Sequence, residues 1–338
     1  MTANQTVTVF GAYGHTGRFV VSELRRRGWT PILSGRDASK LSSLGGVNPG
    51  LDVRPASTDS PRSLDRALDG AAAIINCAGP FLDTAVPVIE AALRARIHYL
   101  DVTAEQPAAL ASFEGFSGTA KEAGVVIIPA MAFYGGLSDL LATAAMGEWA
   151  AADEICIAVA LDSWKPTWGT RVTGKRNTAR RFVFSKSKLE FLADPPPTRM
   201  WNFPTPFGTQ DVVGLCFSEI ITISRHLPVP EIHAFMNLPP VRDVRDPNTP
   251  PPTASDDSGR SSQIFLLDVV ARKDSEARRA VARGRDIYAV TAPIVVEAAQ
   301  RVVAGLAKKT GVVAAGETFD ARDFLESLHP MHLSVEIQ

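Results

Sequence analysis

The sequence predicts an α/β fold in which a doubly wound parallel sheet is followed by a second, α+β domain built on a largely antiparallel sheet. Three observations predict it. Residues 7–17 read VTVFGAYGHTG, a β-branched run that ends in Gly11, Gly14 and Gly17 and passes straight into a helical pattern. Over the first 130 residues, apolar strand-like runs alternate with amphipathic stretches, the arrangement that covers a parallel sheet on both faces. Beyond Pro129, strand-like runs succeed one another with few helices between them, which favours antiparallel pairing.

Strands are expected at Thr6–Phe10, Thr30–Ser34, Leu51–Pro55, Ala73–Cys77, His98–Asp101 and Val125–Pro129. Helices fall between them at Arg18–Arg27, Pro61–Leu68, Thr84–Arg96 and Gln106–Ala123, which is the Rossmann-type pattern. Leu137–Trp149 reads as one long helix, and Ile155–Leu161 and Thr178–Phe184 as strands. Residues 243–262, DVRDPNTPPPTASDDSGRSS, are too rich in Pro, Ser and Asp to bury a face, so a mobile excursion is expected there, with order resuming at Gln263–Ala271. Helical periodicity returns over Asp286–Ala307, and Ala321–Leu328 reads as a last short helix.

The 338 residues carry 35 basic and 36 acidic side chains, a net charge of −1 that argues against a general nucleic-acid or acidic-membrane partner. Cys77, Cys156 and Cys216 form neither a CxxC pair nor a Cys/His cluster, so no disulfide framework or metal site is expected and a reducing, cytoplasmic setting fits. MTANQ leads almost at once into the first strand, and no apolar run approaches the roughly 18 residues of a membrane span.

The glycine turn has a chemical reason. A Cβ there would block positive φ and hold backbone N–H groups away from phosphate oxygens, whereas a bare turn at a helix N-terminus cradles a pyrophosphate. Gly11, Tyr13, Gly14, His15, Thr16 and Gly17 are therefore the first candidate cofactor contacts. At the end of the second strand, where an acid would bind a ribose 2′-hydroxyl, the chain instead has Ser34, Gly35 and Arg36, with Lys40 one turn on. Arg36 can pair with a 2′-phosphate and stack on adenine, so NADP(H) is favoured over NAD(H); the ordinary alternative is a solvated arginine.

GAYGHTG, SGR, INCAGPF (75–81) and HYLDVTAE (98–105) occur in the order and spacing of the saccharopine dehydrogenase-like oxidoreductases, which the chain resembles over its first 140 residues and, through GRDIYAVTA (284–292) and GVVAAGETFDARDFLESL (311–328), near its end. The resemblance implies a Rossmann-type NADP domain in which Asn76, Cys77, Ala78, Gly79, Pro80 and Phe81 lie along the cofactor near the nicotinamide ribose, with Tyr99 to Glu105 close by. It also implies a homodimer. The pattern departs from the family at Ala104, and AFYGGLSDLL (132–141) keeps only Ser138 and Asp139 of the usual motif. The chain is shorter than the lysine-pathway saccharopine reductases, so fold and cofactor carry over and the substrate does not. Residues 1–134, completed by 285–338, are the expected dinucleotide-binding domain, and 135–284 the substrate and dimerisation domain.

Tyr99, Asp101 and Glu105 lie at the carboxyl end of a parallel strand, where ligands bind in open α/β sheets, and are candidate catalytic residues; Asp101 could equally cap the next helix. Cys77 has no neighbour in sequence to activate it and reads as a packing residue. From Ser163 to Leu189 the chain carries Lys165, Arg171, Lys175, Arg176, Arg180, Arg181, Lys186 and Lys188 without an acid. One reading makes 170–181, with Arg171, Lys175, Arg176 and Asn177, a lid or strand pair that binds a carboxylated or phosphorylated substrate, with Trp164 and Trp168 as walls and Tyr134 as a further contact; the other is a solvated basic face or an oligomer contact. FSEIITISRHL (217–227) places Glu219, Arg225 and His226 in an apolar stretch, and His226 is a candidate proton donor by its near-neutral pKa.

Two functions compete. One is an NADP(H)-dependent oxidoreductase that transfers a hydride to a small anionic imine, enamine or activated alkene; the other is a non-catalytic redox sensor. Classical short-chain dehydrogenases are set aside because Tyr13, Tyr99, Tyr134 and Tyr288 are followed four residues later by Gly17, Thr103, Ser138 and Ala292 rather than by lysine.

Overall fold

A computed structural model describes residues 5–338. The chain begins with β1 (Thr6–Phe10), whose apolar side chains are buried, then the glycine turn and α1 (His15–Arg26). It continues through β2 (Thr30–Gly35), α2 (Ala38–Gly46), β3 (Val53–Pro55), α3 (Pro61–Leu68), β4 (Ala73–Asn76), α4 (Phe81–Ala95), β5 (His98–Asp101), α5 (Gln106–Glu122) and β6 (Val126–Ile128). Helix α2 is absent from the sequence expectation; Asp37 starts it by accepting the amides of Ser39 and Lys40, each at 3.1 Å. Strands β1, β2, β4, β5 and β6 pair in parallel register, for example Val9 opposite Leu33 and Ile75. Val20, Val21 and Leu24 of α1 face this sheet and are buried with Val7 and Val9.

Where one long helix was expected, a π-helical turn (Phe133–Leu137) leads into the shorter α6 (Ser138–Met146). Close packing forces the turn: a Cβ on Gly135 would lie 2.4 Å from the Ala130 carbonyl oxygen, and that oxygen already accepts the Gly136 amide. Gly147, at φ 53°, ends the helix. All of α6 except Thr143 is buried, because it packs on the strands at Ile264–Lys273 and Glu276–Arg285 and is covered by the helices at Glu219–Ile223, Ala315–Thr318 and Ala321–Leu328.

The second domain runs β7 (Glu154–Leu161), α7 (Trp168–Arg176), β8 (Phe182–Ser185), β9 (Lys188–Phe191), β10 (Thr198–Asn202), β11 (Thr209–Gly214), α8 (Glu219–Ile223), β12 (Glu231–Asn237), α9 (Leu238–Arg245), β13 (Ile264–Lys273) and β14 (Glu276–Arg285). After it come α10 (Thr291–Val303), β15 (Gly311–Val312), α11 (Ala315–Thr318), α12 (Ala321–Leu328) and β16 (Leu333–Ile337). The second sheet has the order β10-β11-β12-β7-β13-β14-β16, with the β8–β9 hairpin attached through β12. Its pairing is antiparallel except between β12 and β7.

The tail divides between the sheets. Strand β15 joins the edge of the parallel sheet, giving the order β15-β6-β5-β4-β1-β2-β3, and α10 packs on α1, where Arg27 Nη1 bonds Gln300 at 2.7 Å and pairs with Glu297. Strand β16 instead pairs with β14 of the second sheet. Residues 243–245 close α9 rather than opening a loop, and the following excursion is tied down: Arg171 holds the Asp246 and Thr249 carbonyls, and Arg285 pairs with Asp256. The helix expected from Asp286 starts at Thr291, since the Asp286 carboxylate is taken up by the amides of Ser261, Tyr288 and Ala289. Likewise the strand expected from Thr178 begins at Phe182. Among the described residues no helix is long and apolar enough to cross a membrane.

Candidate functional site

The carboxyl edge of the parallel sheet gathers the motifs. Gly11 (φ 83°) sits so close to the loop after β4 that a Cβ would lie 2.9 Å from the Ala78 nitrogen. A Cβ on Gly17 would lie 2.2 Å from the Gly11 carbonyl oxygen, so α1 can approach the turn only with glycine there. The amides of Gly11 and Ala12 both donate to Ser34 O, at 2.9 and 3.1 Å. Helix α1 starts at Gly14 with no side-chain cap, leaving the first-turn amides of His15, Thr16 and Gly17 and the positive helix end for an anion. His15 Nε2 is buried without a hydrogen-bond partner, and burial lowers the imidazole pKa, so the neutral ring stands at the turn with an open valence. These features fit a bound dinucleotide pyrophosphate.

At the end of β2 the Tyr13 ring lies over Gly35, where a Cβ would lie 2.8 Å from the ring, and Tyr13 Oη accepts the Asp37 amide at 3.3 Å. Arg36 is exposed and, among the described residues, has neither a hydrogen-bond nor an ion-pair partner. Lys40 reaches Asp37 at 3.3 Å and stands over the Tyr13 ring. The Asp37 carboxylate caps α2, and the Lys40 and Ser39 amides and the Ser39 hydroxyl hold its pKa down at about 2. The acid at this edge is thus engaged while the arginine is free, which suits a 2′-phosphate. Ser34 is a correction to the cofactor set: its hydroxyl donates to the Arg54 carbonyl at 2.8 Å, and it serves the turn through its backbone oxygen.

The Asn76–Phe81 loop is shaped from within. Asn76 Oδ1 accepts the Ala78 amide at 3.0 Å, while its Nδ2 donates to Tyr99 Oη and Thr84 Oγ1. Glu105 reaches across to cap α4, accepting the Phe81 amide at 2.7 Å and that of Leu82 at 3.3 Å. Gly79 is exposed and Pro80 half-buried, and helix α7 lies against them: a Cβ on Gly79 would meet Thr173 Oγ1 at 3.0 Å. Burial and the nearby Asp101 charge push the Cys77 thiol pKa well up, so it is no nucleophile.

Tyr99 and Asp101 are fully buried and bonded to each other at 2.9 Å; the carboxylate also accepts the amides of Thr103 and Ala130. Burial raises the Asp101 pKa to about 6. Tyr99 and Asp101 tie the ends of β4, β5 and β6 together and Glu105 caps α4, so all three brace the Asn76–Phe81 loop from inside the protein. His226 also lies away from the motif edge: its Nε2 bonds Asp139 at 2.6 Å, and the other Asp139 oxygen accepts the Gly316 amide.

The basic segment reaches the sheet edge through Thr173 and Arg176 of α7 rather than converging on it as a set. Arg171 holds the 246–249 loop, Arg176 pairs with Asp83 of α4 at 2.8 Å, Lys175 is exposed, and Trp168 is 74% exposed. Asn177 is half-buried with its Oδ1 unpartnered. The physical reason is that Arg171 and Lys175, four residues apart, share one side of α7, whereas Arg176 lies on another side and reaches Asp83.

Beside this edge the structure assembles a buried cluster of side chains that residue spacing did not foretell. Tyr134, in the π-helical turn, stacks on Phe217 with centroids 4.2 Å apart, and Trp164 stands 6.0 Å away. Trp164 Nε1 donates to Tyr288 Oη at 2.9 Å, Tyr288 bonds Thr170 of α7, and its ring meets His15 edge-on at 5.4 Å. The cluster thereby reaches the glycine turn. Arg181 lies over Phe217 and donates to Cys216 O at 2.6 Å. Glu219, 2% exposed, accepts the Phe217 amide through Oε1, while Oε2 has no partner; burial raises its pKa to about 7. Tyr134 Oη is likewise buried and unpartnered. The one sequence signal was a lone carboxylate ahead of the apolar run IITI, beside the histidine that drew attention instead.

Residues 7–128 match the family described as the saccharopine dehydrogenase NADP binding domain. A probable mitochondrial saccharopine dehydrogenase-like oxidoreductase of Arabidopsis thaliana is 29% identical over 142 residues, covering 38% of this chain and 31% of its own length. A saccharopine dehydrogenase-like oxidoreductase of Bos taurus is 29% identical over 145 residues, covering 38% and 34%. The chain spans about a third of the length of these curated relatives. The apo saccharopine dehydrogenase (L-Glu forming) of Saccharomyces cerevisiae superimposes with a TM-score of 0.70 over 99% of this chain and 100% of that one at 12% identity, a likeness of fold. Sequence motifs, sheet topology and these likenesses agree: residues 7–128 form a saccharopine dehydrogenase NADP binding domain, and the chain is similar to the saccharopine dehydrogenase-like oxidoreductases.

Proposed function

We propose that the chain is an NADP(H)-dependent oxidoreductase that transfers a hydride to a small, anionic imine, enamine or activated alkene. One observation carries this reading: the glycine turn, the Asn76–Phe81 loop and helix α7 of the second domain meet at one edge, with the unpartnered Tyr134 and Glu219 oxygens in the adjoining buried cluster. A sensor needs the turn but has no use for buried polar atoms left without partners, which cost stability unless a ligand meets them.

In this reading Gly11 to Gly17 hold the pyrophosphate, Tyr13, Arg36 and Lys40 the 2′-phosphorylated adenosine, and Asn76 to Phe81 the nicotinamide ribose. NADPH, when bound, supplies the hydride. The Tyr99–Asp101–Asn76 network and the Glu105 cap keep that loop fixed, and α7 lies against it at Gly79. The substrate anchor moves from Arg171, Lys175 and Arg176 to Arg181, which is part-buried and bonds one carbonyl. Three free cysteines support a reducing compartment such as the cytoplasm, and family resemblance supports a homodimer, which the mass of the protein in solution tests.

The direct test is deuteride transfer. Purified protein with 4-deuterated NADPH is offered cyclic imines, imino acids and conjugated carbonyl compounds, and products are analysed by mass spectrometry. Label in a reduced product is the expected result; tight NADPH binding with no labelled product across the panel sinks the enzyme reading in favour of the sensor.

A further inference from the structure

We infer that a small cavity between the segment after β7 and the 246–262 excursion is an oxyanion site, which takes a carboxylate or phosphoryl oxygen of a ligand against Lys165 and nearby hydroxyl groups. Its lining comes from three stretches of chain: Ser163 and Lys165 after β7, Thr253 of the excursion with Ser261 and Ser262 just before β13, and Tyr288 after β14. The volume is about 20 Å³, room for one water-sized group. One oxygen of a ligand enters it, whereas an adenine or nicotinamide ring does not.

The polar groups around the cavity divide into engaged and free. Gln263, also in the lining, donates through Nε2 to the Ser163 carbonyl at 2.5 Å and accepts the Ile287 amide at 3.0 Å. Tyr288 Oη is shared by Trp164 Nε1 and Thr170 Oγ1, each at 2.9 Å. By contrast, the Lys165 amine and the hydroxyls of Thr253, Ser261 and Ser262 have no hydrogen-bond or ion-pair partner among the described residues, although Lys165 is half-buried and Ser261 is buried.

That free set selects the ligand. An ammonium can only donate and a hydroxyl can donate, so together they meet an acceptor that carries negative charge. No acid lines the cavity, and the acids of the surrounding segments are engaged elsewhere. Asp286 accepts the amides of Ser261, Tyr288 and Ala289, Asp162 that of Ile264, and Asp243 that of Trp164, while Asp256 pairs with Arg285. A half-buried ammonium without a counter-charge is partly desolvated, and an anion offsets that cost.

The donors are held in place before any ligand arrives. Trp164, between the two lining residues Ser163 and Lys165, is fixed through its amide to Asp243 at 2.9 Å and through its indole to Tyr288, and the Ser261 amide is fixed to Asp286 at 2.7 Å. A bound anion would join the segment that leads into α7 to the excursion, which lies against α1 where a Cβ on Gly259 would be 3.7 Å from the Phe19 ring. Anion binding here requires no hydride transfer, so the two stand or fall separately.

The test uses the full chain saturated with NADPH, which fills the glycine turn and the Arg36 edge, titrated calorimetrically with inorganic phosphate or with malonate at constant ionic strength. Wild-type protein should bind one anion, and Lys165→Met should raise its Kd roughly tenfold or more. Ser262→Ala, at an exposed position, should raise it roughly threefold. Unchanged NADPH affinity shows that each variant is folded, and the bound anion should slow amide hydrogen exchange across residues 253–263. Tighter binding of malonate assigns a carboxylate ligand, and tighter binding of phosphate a phosphoryl ligand. No binding of either anion, binding seen only without NADPH, or an unchanged Kd in Lys165→Met overturns the site.

Discussion

Replacing Arg36 by Ala should weaken NADPH binding roughly tenfold and leave NADH binding within about twofold, on a contact of about 1.5 kcal/mol. The magnitude follows from the position of the side chain. Arg36 is exposed and unpartnered, so its removal breaks nothing in the fold, and the whole effect falls on the ligand. A charge-assisted guanidinium–phosphate pair contributes about 1.5–3 kcal/mol, and solvent screening at this exposed edge puts the value at the lower end. Lys40 retains part of the positive charge, although its amine is shared with Asp37 at 3.3 Å. Titration of the intrinsic NADPH fluorescence, with NADH alongside and at two salt concentrations, measures it. Equal losses for both cofactors, or no loss for either, would refute the 2′-phosphate assignment; a penalty that shrinks with added salt is the expected signature.

Gly17→Ala should cost roughly 3 kcal/mol of stability and abolish NADPH binding, because the new Cβ would lie 2.2 Å from the Gly11 carbonyl; thermal melting with and without NADPH reads both. Tyr134→Phe removes an unpartnered buried hydroxyl and should raise the stability of the ligand-free protein by about 1 kcal/mol in denaturant titration, whereas a destabilised variant would mean that the hydroxyl has a partner inside the protein. Glu219→Gln tests a pH effect. The folded carboxyl titrates at about 7 against an ordinary 4.5, so its contribution to stability is complete below the unfolded value and is lost as pH rises through 7. The variant should therefore gain about 3 kcal/mol on wild type between pH 4.5 and 8, a gap that denaturant melts across that range would show. Asp101, raised to about 6, acts in the same direction in both proteins and cancels in the difference.

Local chemistry carried what the sequence by itself determined. Gly11 and Gly17 are dictated by close backbone approach, the β1 to β6 alternation by burial on two faces, and Arg36 by its place at a strand end, and each is legible because neighbours in sequence create the constraint. The cofactor domain, its edge and NADP(H) were accessible in that way. Tertiary structure alone decided which polar side chains are still free to act. Asp101 and Tyr99 look reactive in sequence but use up their hydrogen-bonding capacity on Ala130, Thr103 and Asn76, and Arg171 spends its own on the 246–249 loop. Tyr134, Arg181 and Glu219, separated by dozens of residues, become one cluster only when the π-helical turn, the approach to β8 and the start of α8 pack together. Hydrogen-bond saturation is a property of the folded chain, and no spacing rule along the sequence can anticipate it.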